Sequence, residues 1–311
     1  MNELNLVTGG AGFIGSALVR TLVEHGTVSV IDNLFTGHEA NLRELRGQVE
    51  LHKLDIRDAA AMISAIRGAD TVFHLAAIPS VPRSIDEPVL SHEVNIDGTF
   101  NVFRAAAQGG VRRVVYAASS SAYGDAETLP KIETMPPRPL SPYAVQKLVG
   151  EYYASVFHSC YGLETVALRF FNVYGPRQDP SSPYSGVLSL FMRHLIARTS
   201  PTIFGDGEQS RDFTYVEDVA GLCWKAAEAP GAAGHMYNAG NGGRYTLNQI
   251  WSVLQKMEGL DIPVKFGPPR AGDVRHSMAD TTAAVRDLGH APRFTIEEGL
   301  KRTLAWYRQA G

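Results

Sequence analysis

The chain has 311 residues, 44% of them hydrophobic and 20% charged, which is enough apolar side chain for one large α/β unit or two domains and unlike a disordered tail. Lys plus Arg number 29 against 32 for Asp plus Glu, a net charge of −3 with both signs scattered along the chain, so there is no basic footprint for a nucleic-acid backbone. The two cysteines, Cys160 and Cys223, match no metal-ligand spacing and cannot make a disulfide scaffold, and no apolar stretch approaches the roughly 20 residues of a membrane-spanning helix.

The start of the chain lacks a cationic leader and a cleavable apolar run, so the expected compartment is a reducing cytoplasm. Residues 4–8 are a short apolar run ending in glycines, and 16–25 then place Ala17, Leu18, Thr21 and Leu22 on one helical face: strand, tight turn, helix. Strands are predicted at 28–32, 49–54, 71–75 and 113–117, with helices between them at 59–66 and 90–108, an alternation that predicts a doubly wound parallel sheet covered on both faces. After a strand at 165–170, RFFNVYGPRQDPSSPYSG (169–186) is rich in Pro, Gly, Ser and Tyr and reads as a loop region at the site. A helix at 187–198, a strand at 201–204 and helices at 246–257 and 295–309 would build a smaller second lobe.

TGGAGFIG (8–15) sets Gly9, Gly12 and Gly15 between a predicted strand and a predicted helix. Glycines there permit the turn and let backbone approach a pyrophosphate, whose charge then sits at the positive end of the helix. Asp32 lies 17 residues after Gly15 at the end of the second strand, where a carboxylate accepts both ribose hydroxyls of an adenosine and repels a 2′-phosphate, favouring NAD over NADP. Asp55, after the third strand, has two readings: a partner of the adenine amino group, or a strand-ending or N-capping Asp.

YAASSSAYG (116–124) follows the fifth strand, so Ser119, Ser120 and Ser121 stand at a carboxyl end of the sheet, where ligands bind. Some 20 residues on, SPYAVQKLVGEYYA (141–154) has helical spacing and puts Tyr143 and Lys147 one above the other on a helix face. A phenol is a poor base at neutral pH, but an adjacent ammonium and an oxidised nicotinamide both favour the phenolate, so Tyr143 could take a hydroxyl proton with Lys147 in support. The bland alternative is an exposed helix with an incidental Tyr and Lys.

Together these segments resemble the extended short-chain dehydrogenase/reductases, and within them the NAD-dependent epimerase/dehydratase family, over nearly the whole chain. The likeness also runs through HLAA (74–77), VNIDGT (94–99), DGEQSRDFTYVEDVA (206–220) and RAGDVRHSMAD (270–280). It implies an NAD-binding Rossmann domain over 1–168, to which later segments return, and a lobe over 169–311 that mainly binds a nucleotide sugar. It makes Ser119, Tyr143 and Lys147 the catalytic residues. The cofactor set it implies is Gly9, Gly12, Phe13, Ile14, Gly15, Asp32, Asn33, Asp55, Ile56, Leu75, Ala76, Ala77, Asn95 and Phe170, with Tyr143 and Lys147. For a UDP-sugar substrate it implies Ser80, Ser119, Ser121, Asn172, Val187, Phe204, Arg211, Arg270, Asp273 and Ser277. Arg211 and Arg270 would clamp the diphosphate, although pairing of Arg211 with Asp206 or Asp212, and of Arg270 with Asp273, is the competing reading.

Sugar 4,6-dehydratases of this family carry an Asp-Glu pair straight after the catalytic Ser or Thr; here Ser120 and Ser121 stand there and cannot do that acid/base work. The resemblance therefore implies a 4-epimerase working through a 4-keto sugar, with NAD ending as it began. Within that group the chain is most similar to enzymes acting on UDP-N-acetylhexosamines as well as UDP-glucose and UDP-galactose. A UDP-glucose-only 4-epimerase, a UDP-glucuronate 4-epimerase or decarboxylase, and a non-catalytic dinucleotide-sensing binder are the alternatives. The resemblance also implies a homodimer, formed by the helices around 90–108 and 141–157; no nucleic-acid, membrane or metal partner is expected.

Overall fold

Successive side chains of a strand point to opposite faces, so a strand apolar at every position needs a core on each side. In β5 (Arg113–Ser119) Val114, Tyr116 and Ala118 enter one core while Val115 and Ala117 enter the other. The computed structural model describes residues 3–180, 186–269 and 274–310. Along the chain come β1 (Leu4–Thr8), β2 (Thr27–Ile31), β3 (Val49–His52), β4 (Thr71–His74), β5, β6 (Glu164–Phe170), β7 (Asn172–Tyr174), β8 (Thr202–Phe204), β9 (Ser210–Arg211), β10 (Phe213–Tyr215), β11 (His235–Ala239), β12 (Tyr245–Thr246) and β13 (Lys265–Gly267). Seven of them form one parallel sheet in the order β11-β6-β5-β4-β1-β2-β3, a Rossmann-like fold. The order reverses between β1 and β4, and the crevice beyond their carboxyl ends is where such sheets hold ligands.

A third core lies in the second lobe. Leu188, Phe191, Met192 and Leu195 of helix Val187–Ala197 meet Leu247, Ile250, Trp251 and Leu254 of helix Leu247–Glu258 and Leu300 and Leu304 of helix Ile296–Ala310. Each set recurs at three- and four-residue steps, one apolar stripe per helix, and each fully buried side chain of this size contributes about 1.5–3 kcal/mol.

Three features differ from the sequence expectation. The helix predicted over 90–108 is broken into Pro88–His92, a π-helical stretch Glu93–Gly98 and Thr99–Gly109; the wider turn carries Asn95 inward and lays Gly98 against Ile56, whose side chain an added Cβ would meet at 2.7 Å. Part of the 169–186 segment is a strand, since β7 pairs with β10. Finally β11, one of the sheet's two edge strands, and the buried helix Val216–Glu228 were not expected; HMYNA is only five residues long, with a His and an Asn interrupting its apolar character. Among the described residues no helix is long and apolar enough to cross a membrane, and no group of three His, Cys, Asp or Glu side chains could hold a metal ion.

Candidate active site

At the switch point β1 runs into the glycine turn and β4 into His74–Ala77. The buried Thr8 hydroxyl joins the two: it bonds His74 Nδ1 at 2.7 Å and accepts the Ala76 amide at 3.3 Å, while His74 Nε2 meets Thr99 at 3.0 Å. Burial pushes His74 down to about 3, so the ring stays neutral. Gly9 has φ +73° and passes so close to the β4 segment that a Cβ would sit 2.7 Å from the Ala76 amide; a Cβ on Gly15 would sit 2.1 Å from the Gly9 carbonyl. Leu75, Ala76 and Ala77 therefore lie against the turn. The helix Phe13–Leu22 starts there with Gly12 at its N-cap, no side-chain cap and no acid in its first turn, which leaves the amides at the start of Phe13 and Ile14 to an anion.

Asp32 follows β2 and is 7% exposed. Its carboxylate accepts the Ala11 amide at 2.9 Å and the Leu34 amide at 2.8 Å, and burial raises it against those two bonds. A carboxylate has about four lone-pair sites, so two amides leave room for a diol. These observations fit a dinucleotide: a cradle that any Cβ would fill, an uncapped helix start and an acceptor at the second strand's end. Asp55 is engaged locally. Arg57 holds it in three bonds, two from the guanidinium and one from the amide, which keep its carboxyl down at about 2, and Asn33 donates to it at 2.9 Å; the cap of helix Ala59–Ile66 is Asp58.

Ser119 ends β5, next to Phe170 at the end of β6 in the ladder, and accepts the Ser121 hydroxyl at 2.8 Å. Tyr143 and Lys147 rise from helix Pro142–Tyr161, which the Ser141 hydroxyl caps. Burial raises the Tyr143 phenol, and a hydrogen bond with Ser119 opposes that shift. The Lys147 ammonium is 4% exposed, donates to the Ala117 carbonyl at 2.7 Å and lies 5.0 Å from the centre of the Tyr116 ring. Burial pushes it down to about 8, with Glu151 opposing. Ser119, Tyr143 and Lys147 thus occupy one corner, over the carboxyl ends of β5 and β6.

Sequence reasoning missed how this corner is held. Gln146 Oε1, between Tyr143 and Lys147, accepts from Ser91 at 2.7 Å and from Asn95 at 2.9 Å, while Asn95 also bonds both backbone groups of Ile78. Asn95 so fixes the loop after β4 to the helix bearing the Tyr–Lys pair. Ser80 caps helix Val81–Asp86 through the Arg83 amide, and Ser84 on that helix accepts the Tyr143 amide at 3.1 Å. No single spacing in the sequence announces these long-range bonds.

The second-lobe residues meet through backbone. The Asn172 amide donates to Asp212 at 3.0 Å, Arg211 precedes that residue, and the Ser277 amide donates to Ser210 at 3.0 Å, which brings Asn172, Arg211 and the 9% exposed Ser277 onto neighbouring rows. The fully buried Asp212 carboxylate accepts the amides of Asn241, Gly242 and Ala279 and so ties the Ser277 strip to β9 and β10; burial raises it against those bonds. Arg211 Nη1 donates to the Ser210 and Arg275 carbonyls, and Asp206 holds Arg275 in two 2.8 Å bonds. Phe204, tied to Gln209 through its carbonyl, faces Phe266, Val274 and Arg275 across a cleft of about 590 Å³, and Val187 packs on the third core. Arg270 and Asp273 lie outside the described residues.

The pattern of the NAD dependent epimerase/dehydratase family matches residues 5–240. A UDP-glucose 4-epimerase of Mycolicibacterium smegmatis is 38% identical over 310 residues, 97% of this chain and 98% of that protein. Among solved structures, the UDP-N-acetylglucosamine 4-epimerase of Methanobrevibacter ruminantium, in complex with UDP-N-acetylmuramic acid, superposes with a TM-score of 0.96 at 38% identity, covering 100% of this chain and 99% of that one. The UDP-glucose 4-epimerase of Thermus thermophilus, in complex with NAD, gives 0.91 at 36% identity, covering 99% and 100%.

Proposed function

The chain belongs to the NAD-dependent epimerase/dehydratase family and is an NAD-dependent isomerase of the UDP-sugar 4-epimerase group, and from that premise we propose that it interconverts UDP-GlcNAc with UDP-GalNAc as well as UDP-glucose with UDP-galactose. Gly9, Gly12 and Gly15 would receive the pyrophosphate and Asp32 the adenosine ribose. Bound there, NAD supplies the acceptor and the returning donor of the C4 hydride. Tyr143 removes the C4 hydroxyl proton and gives it back, Ser119 holds the same oxygen, and Lys147 stabilises the phenolate with its charge. Ser120 and Ser121 offer no acid/base group for eliminating water, which supports epimerisation.

The observation that carries the sugar range is Ser277. It is small and buried, and its backbone is locked beside Arg211, on the row where a diphosphate would lie. A small side chain there leaves room for a 2-acetamido group. The test is a panel of UDP-glucose, UDP-GlcNAc and UDP-glucuronate incubated with purified protein and no added cofactor. Interconversion of both the plain and the acetylated pairs is expected; no turnover of any acetylated sugar would overturn the reading. Ser277→Tyr should suppress the acetylated pair and leave the plain pair largely active, through steric overlap.

A further inference from the structure

We propose that Glu151 is a positioning residue for the proton chemistry: paired with Arg169 beneath the active site, its carboxylate stands one helical turn beyond Lys147 and keeps that side chain charged. The pair is enclosed, with Glu151 9% and Arg169 3% exposed, and bidentate, with Arg169 Nε and Nη2 at 2.8 and 2.7 Å from the two carboxylate oxygens. The Arg169 guanidinium also lies 4.4 Å from the centre of the Tyr123 ring, so the carboxylate's partner is itself fixed. An ion pair taken out of water recovers little more than its desolvation costs, and stability alone is a weak reason for one here.

Lys147 supplies the reason. It is a cation in a dry corner, with one carbonyl and one aromatic face as its neighbours. Tyr143 of its own helix and Tyr116 of β5 are phenols that burial pushes up, so neither offers it a negative charge in the ligand-free protein. His74 of β4 is neutral, and Arg169 of β6 is cationic. Among the described residues Glu151 is the acid whose charge acts on Lys147 against burial. Spacing of four on one helix puts the two side chains on the same buried face, and Arg169 keeps the carboxylate in place. Removing the carboxylate lets Lys147 lose its proton at lower pH and takes from Tyr143 the charge that favours its phenolate.

This rests on reading Tyr143 and Lys147 as the proton-handling pair, but its test needs no sugar. The full-length, ligand-free protein is labelled with ¹³C at the lysine ε-carbons, and the Lys147 resonance, identified by its absence in Lys147→Arg, is followed against pH. A wild-type midpoint of about 8 is expected. In Glu151→Gln/Arg169→Gln, which removes the pair without stranding a charge, the midpoint should fall below the wild-type value. The alkaline fall in turnover should move with it. Glu151→Asp, which keeps the charge, should restore the wild-type midpoint to within a few tenths of a unit. If the double variant does not fold, Glu151→Gln alone is read, and its fall should be larger because Arg169 is left uncompensated. An unchanged Lys147 midpoint in a folded variant would overturn the proposal and make the pair purely structural. A failed sugar panel beside a shifted midpoint would instead count against the substrate reading alone.

Discussion

Tyr143 is half-buried beside Ser119 with Lys147 one turn away, so deleting a single oxygen should remove chemistry without removing structure. Tyr143→Phe is expected to keep the fold and bound NAD while turnover falls about 10²- to 10⁴-fold, the usual worth of a positioned acid/base group; initial rates and the dinucleotide content of the purified variant check both halves. Ser119→Ala should act in the same direction, and the two changes together should cost less than their sum, because both groups serve one hydroxyl. The three residues were legible in the sequence as a serine run at a strand end and a four-residue Tyr–Lys step. Glu151 sits in the same segment, 141–154, at the next four-residue step. What makes it more than a surface acid is Arg169, 18 residues on and in another element, and only the folded sheet brings them together.

At the scale of elements the glycine turn was legible because sterics act locally: a φ of +73° at Gly9 and the approach of Gly15 to the Gly9 carbonyl are demands on residue type. Gly15→Ala would place a methyl 2.1 Å from that oxygen, so the turn must open. The expected result is a stability loss of about 1–3 kcal/mol, the range for overpacking a tight contact, together with loss of co-purifying NAD. Denaturant melts and the absorbance of the released dinucleotide read the two effects, and an alanine variant that retained full NAD would remove the turn from the cofactor site. The break in the predicted 90–108 helix was not legible. Its cause is the set of bonds Asn95 makes to Ile78 and Gln146, residues 17 and 51 positions away, and periodicity is blind to partners at that distance. β11 escaped for a related reason, since its place at the sheet edge is dictated by pairing with β6 and hardly by its own side chains.

At the scale of the whole molecule, one helix serves two surfaces. The inner face of Pro142–Tyr161 carries Lys147, Glu151, Ala154 and Phe157 into the protein, while Val145, Tyr152 and Val156 stand 45%, 57% and 47% exposed at steps of seven and four, a stripe down its outer face. Ile85 and Val89, on the two short helices that pack beside it, are 58% and 69% exposed and extend the apolar area. Apolar side chains gathered in this way on a protein surface call for a cover, and a second copy of the same face satisfies the self-complementarity of a two-fold interface. We therefore expect a homodimer built on this helix, one of the two, around 90–108 and 141–157, that the sequence resemblance implied. The face backs directly onto Tyr143 and Lys147, so its loss should be felt at the site. Val156→Glu combined with Tyr152→Glu would place like charges opposite one another across the expected two-fold. The mass measured by light scattering should fall from twice the chain mass to the chain mass of 33.8 kDa, with turnover reduced as the helix loses its support. A wild-type protein that ran as a monomer at micromolar concentration would refute the interface, and a variant that stayed dimeric would move it to another face.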